Sequence, residues 1–173
     1  MKNIKELYEN HDEMPYIASK YEDELSKKPI AKRQMIRTEE GLLPGHIIML
    51  WRINFGTYTN KSTHHKYFYT TYGIDAQKEL DWLIDQGYVI VDTAFGSIKH
   101  LSAPQIKDFL KFKGVSGLSK MKRADLDKAL ANNYTEEELG QLFDLRGYSL
   151  SSKGKDSLEN HPEIIDKHPQ KKF

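Results

Sequence analysis

Cysteine is absent from the 173 residues. That excludes disulfide staples, thiolate nucleophiles and every zinc site that uses sulfur. Long apolar runs are absent too: the longest, residues 47–51, falls far short of the roughly 20 residues that cross a bilayer. The opening stretch MKNIKELYENHDEM carries charges every few positions and lacks the apolar stretch of a signal peptide. A cytoplasmic location is therefore expected, and a membrane partner is not. Neither sign of charge dominates, with 26 Lys and Arg against 25 Asp and Glu, so no global field draws the chain onto nucleic acid or an anionic surface.

The familiar catalytic signatures are missing as well. There is no Gly-x-Ser-x-Gly elbow, and GLLPGH lacks the lysine and hydroxyl of a phosphate loop. None of the seven histidines falls into a HExxH pattern. His64 and His65 are adjacent, so an extended backbone points them to opposite faces. Acidic triplets such as Glu22, Asp23, Glu24 and Glu136, Glu137, Glu138 fan around a helix and read as solvated faces, and the histidines read as exposed loop residues. A non-catalytic protein is expected, with no metal, no cofactor and no small-molecule substrate.

What is present suits a folded chain. Hydrophobic residues make up 38% and charged residues 29%, a balance that favours a globular fold over disorder. The expected class is mainly α with short β-strands. Pro44 fits the first turn of a helix whose residues Ile47, Ile48, Leu50, Trp51 and Ile53 are apolar almost all round, hence central. The aromatic stretch at 67–72 is better read as core than as a base-stacking surface. Asp75 caps a helix with Leu80, Leu83 and Ile84 on one face, and Gly87 ends it before a strand from Tyr88. Ser102 and Pro104 open a helix burying Ile106, Phe109 and Leu110, and Gly114 ends it. A second helix follows a loop and buries Leu126 and Leu130. Thr135 with Glu138 forms a capping box for a helix burying Leu139, Leu142 and Phe143. Gly147 is expected to stop that helix in a left-handed turn, before an extended 148–150 and a further helix. The tail HPQKKF is expected to fray. Residues 83–89 and 142–149 share the order helix, glycine, tyrosine, strand, which leaves open a duplicated unit.

The charge is unevenly spread. Residues 97–130 hold eight basic side chains against three acidic ones, while every other part is slightly acidic. Lys120, Lys122 and Arg123 open the second of the two helices, where the helix dipole favours phosphate. Lys99, with Lys107, Lys111 and Lys113 along the first helix, extends the cluster. A lysine-rich solvated helix face remains the ordinary alternative. By contrast, the helix over 75–86 sets Lys78 against Asp75, Glu79, Asp81 and Asp85, and should be repelled by DNA.

Residues 101–131 resemble the SAP domain, a nucleic-acid-binding module of two helices and an ordered loop. QIKDFLKFKGV matches the first half, with Gly114 and Val115 in the Gly-Leu place, and KRADLDKAL matches the second, with Arg123 in the lysine place. The loop glycine is Met121 here, two residues are added around Ser116 and Gly117, and a late arginine is Ala129. The flanks YGIDAQKELDWLIDQGYV and YSLSSKGKDSLENHPEIIDKH are similar to bacterial and phage proteins that carry a SAP-like motif between winged-helix-like pieces. The resemblance implies winged-helix-like pieces around a SAP-like helix pair, and a nucleic-acid partner held through Lys120, Lys122, Arg123, Lys111, Lys113 and Lys107. A protein partner, in an adaptor role, is the alternative. The segments expected along the chain are an arm over 1–40, a helical part over 41–100, the SAP-like 101–131, and a closing helix–strand–helix over 132–173.

Overall fold

The computed structural model describes residues 3–169. The fold is mainly helical, with one small two-stranded antiparallel sheet, which is the class read from the sequence. The chain divides into two compact units. The first comprises the described parts of Met1–Phe55, Thr63–Ile90 and Leu150–Phe173, and the second comprises Gly56–Ser62 and Val91–Ser149. Residues 101–131 lie wholly within the second unit. The segments expected on either side of them are each shared between the two, because a unit is assembled by packing and not by chain order.

In the first unit, α1 (Glu22–Lys27) is followed by α2 (Pro44–Asn54), α3 (Tyr67–Thr70) and α4 (Ala76–Asp85). Chain order then continues with β1 (Val89–Val91), and the unit closes with α9 (Ser152–Glu159) and α10 (Pro162–Asp166). Helix α2 is the centre: Ile47, Ile48, Met49 and Leu50 are fully buried, and α4, α9 and α10 pack around it. Trp51 is only half-buried, lying against Phe55 and His168. Phe68 and Tyr72 are core residues. Asp75 caps α4 through the Lys78 N–H, and Gly87 follows in the left-handed region at φ +83, where only glycine sits without steric cost. Gly154 is needed for a different reason. A Cβ there would run into the Tyr88 carbonyl oxygen, so α9 meets the residue before β1 backbone to backbone.

Two expectations about this unit fail. The histidines are not exposed loop residues: His46 and His168 are 1% and 7% exposed. His46 accepts the Leu43 N–H on Nδ1 at 2.9 Å, which leaves Nε2–H to donate to Glu79 at 2.7 Å. The tail does not fray at its start either. His168 lies among the rings of Trp51, Tyr67 and Tyr72 and bonds the Tyr72 hydroxyl through Nδ1; residues 170–173 lie outside the described residues.

The second unit contains α5 (Ala94–Ser97), α6 (Ala103–Phe112), α7 (Arg123–Asn133) and α8 (Glu136–Leu142). Strand β2 (Tyr148–Leu150) follows α8 in the chain. Its core joins Ala94, Leu101, Ile106, Leu110, Leu118, Leu126, Leu130, Tyr134 and Leu139. Leu142 is 38% exposed instead of buried, because α8 ends on it. Gly147 also departs from expectation. It has no positive φ; α8 stops well before it, and Gly147 forms a bridge with Thr59. A Cβ there would meet His100 Nε2 at 2.7 Å and Asp92 Oδ2 at 2.8 Å, so space, not backbone freedom, selects glycine. The parallel between 83–89 and 142–149 is thus not conformational.

Candidate nucleic-acid interface

The basic cluster stands on α6, the loop after it and the entry to α7. The Ser102 hydroxyl accepts the Gln105 N–H and the Gln105 side chain accepts the Ser102 N–H, a capping box that starts α6. Ile106 and Leu110 then point into the core at 0% exposure. With the buried stripe fixed, Lys107 and Lys111 share an outer edge one helical turn apart; Lys107 is half-buried and Lys111 exposed. A short 3₁₀ turn, Leu118–Lys120, anchors the loop on buried Leu118. Lys120 and Lys122, on either side of Met121, are exposed.

Two members of the predicted set have other work. Arg123 donates from Nη2 to the Ile98 carbonyl at 2.6 Å, from Nη1 to the Leu101 carbonyl at 2.9 Å, and from Nε to Asp127 at 2.9 Å. Its side chain is 38% exposed, so it ties the turn before α6 to α7 instead of standing open beside Lys120 and Lys122. Lys113 pairs with Glu138 at 2.8 Å and lies over the Tyr134 ring. That ammonium, with the Thr135 N–H and hydroxyl, holds the Glu138 carboxyl down to about 2, and Glu138 in turn raises Lys113. Nor is the start of α7 an open anion seat. Asp125 accepts the Lys122 N–H at 3.1 Å and places its own negative charge there.

The acidic triplet at α8 is not simply a solvated face. Glu136 accepts the N–H groups of Ala94 and Phe95 at 2.8 and 3.1 Å, capping α5, and Glu138 closes the capping box with Thr135. Among the described residues, Lys107, Lys111, Lys120 and Lys122 make no ion pair. These four are what the cluster can offer to an anion.

One residue of this surface escaped the sequence reading. Phe112 ends α6 at 82% exposure. The signal was available: the buried stripe of Ile106, Phe109 and Leu110 does not continue onto position 112 at a period of 3.6. Among the described residues, no group of three or more His, Asp or Glu is placed to hold a metal ion, and no helix is long and apolar enough to cross a membrane. No protein-family model, no curated protein and no solved structure matches the chain.

Proposed function

We propose that this is a non-catalytic nucleic-acid-binding protein whose SAP-like helix pair holds phosphates weakly and without reading sequence. The observation that carries the reading is the set of four lysines, Lys107, Lys111, Lys120 and Lys122, left without carboxylate partners on one helix–loop–helix. Lysine on a flexible stem fits a phosphate as a point charge and carries no base code. The expected affinity is that of non-specific contacts, about 10⁻⁴ to 10⁻⁶ M at physiological salt.

Reversing Lys111, Lys120 and Lys122 to Glu together tests the proposal. Arg123 is left alone because it holds the fold. Exposed substitutions of this kind usually change stability by within about 0.5 kcal/mol each, so the variant should fold and lose binding to a DNA or RNA probe at low salt. Binding equal to wild type would defeat the reading and favour the adaptor role.

A further inference from the structure

Phe112 is at odds with the rest of its helix. Phe109, three residues earlier, stacks on Phe143 with ring centroids 5.9 Å apart, and Ile106 and Leu110 are fully buried. Phe112 is 82% exposed, the most exposed of the large apolar side chains described. A phenyl ring left in water forgoes the stabilisation that burial gives, and among the described residues no ring or cation–π contact uses it. Gly114, two residues on, takes the left-handed region at φ +76 and ends the helical path. Lys111 and Lys113 flank it in sequence, and Lys107 lies one turn before Lys111 on the adjoining edge of the helix; Asp108, exposed, lies one turn before Phe112.

We propose that Phe112 is a stacking platform for an unpaired base, with Lys107 and Lys111 taking the neighbouring phosphates, so that the helix pair prefers a single strand to a duplex. The proposal rests on the nucleic-acid reading above and adds the form of the ligand. An aromatic face stacks on any base regardless of sequence, and a positive groove beside it follows the backbone. In a duplex both faces of an internal base are already stacked, and the ring has no access. Asp108 repels phosphate, which directs the backbone to the Lys107 and Lys111 side.

The test uses fluorescence anisotropy on the full chain at low salt, with an oligothymidylate of about 16 nucleotides and a duplex of the same length. Wild type should bind the single strand more tightly. Phe112→Ala should weaken that binding about tenfold and leave the duplex unchanged, while Phe112→Trp keeps it. At such exposure the substitution should not move the thermal midpoint, which confirms that the variant folds. An unchanged single-strand affinity in Phe112→Ala, an equal loss on duplex, or a wild-type preference for duplex overturns the proposal. Lys107→Glu with Lys111→Glu separates the two claims. If it weakens both probes while Phe112→Ala weakens neither, phosphate binding stands and stacking falls. If no form binds either probe, both fall.

Discussion

The two units use their polar side chains in opposite directions. In the first, titratable groups turn inward and satisfy one another: His46 with Glu79, His168 with Tyr72, and His161 between Glu40 and Glu163. In the second, acidic and arginine side chains cap helices and hold turns, Lys61 and Lys113 pair with Asp144 and Glu138, and Lys107, Lys111, Lys120 and Lys122 make no ion pair among the described residues. An inward network titrates, because burial and fixed partners shift its protons. An outward lysine set responds to salt. The first unit should therefore be sensitive to pH and the second to ionic strength.

The largest expected effect lies where backbones meet. Gly154→Ala must push α9 off the Tyr88 carbonyl and should cost about 3 kcal/mol, read by urea unfolding. A neutral result would mean that α9 does not pack on the Tyr88 backbone. Next comes Arg123→Ala, which strips two carbonyls and a carboxylate of their donor and should cost about 2 kcal/mol. Lys122→Ala beside it should cost within about 0.5 kcal/mol. Equal costs for the two would erase the distinction between a structural arginine and a lysine available for binding.

A smaller effect is on pH dependence. Burial, helped by nearby His65, lowers His168 below its ordinary 6.5. Its contribution is complete above 6.5 and is lost as pH falls through the lowered value. For His161 burial works the other way from its partners, and the Glu40 and Glu163 carboxylates prevail, raising it. That contribution is complete below 6.5 and is lost as pH rises through the raised value. The groups facing His168 are Tyr67, Tyr72 and His65, and those facing His161 are Glu40 and Glu163. Thermal stability should thus peak near 6.5 and fall on both sides. His161→Ala should flatten the alkaline limb alone, and His168→Phe the acid limb alone. A stability curve that rises steadily across this range would contradict the assignment.

Helices α4, α6 and α8 were legible because each has a cap and a stripe. Asp75, Ser102 and Thr135 announce their helices, and Leu80, Ile106 and Leu139 mark the faces they bury. Partners distant in sequence were not legible. Nothing near His168 in the chain points to Trp51 or Tyr72, and nothing near Arg123 predicts the carbonyls of Ile98 and Leu101. The same limit misplaced Gly147. A glycine before a strand reads locally as a turn, whereas its real constraint is the approach of His100 and Asp92. At the candidate site, the lysines were found from their density, and their separation into available and committed side chains required the fold.

The outward character of the second unit's lysines is tested most directly by the salt dependence of nucleic-acid binding. Each phosphate neutralised on duplex releases counterions worth a log–log slope near −0.9. Three to four lysine contacts therefore predict a slope of roughly −3 to −4 for wild type. Reversing Lys111, Lys120 and Lys122 should bring the slope close to zero along with the loss of affinity, and Lys78→Glu on α4 should leave it as it was. A wild-type slope near zero, or a steep slope that survives the triple reversal, would contradict the account.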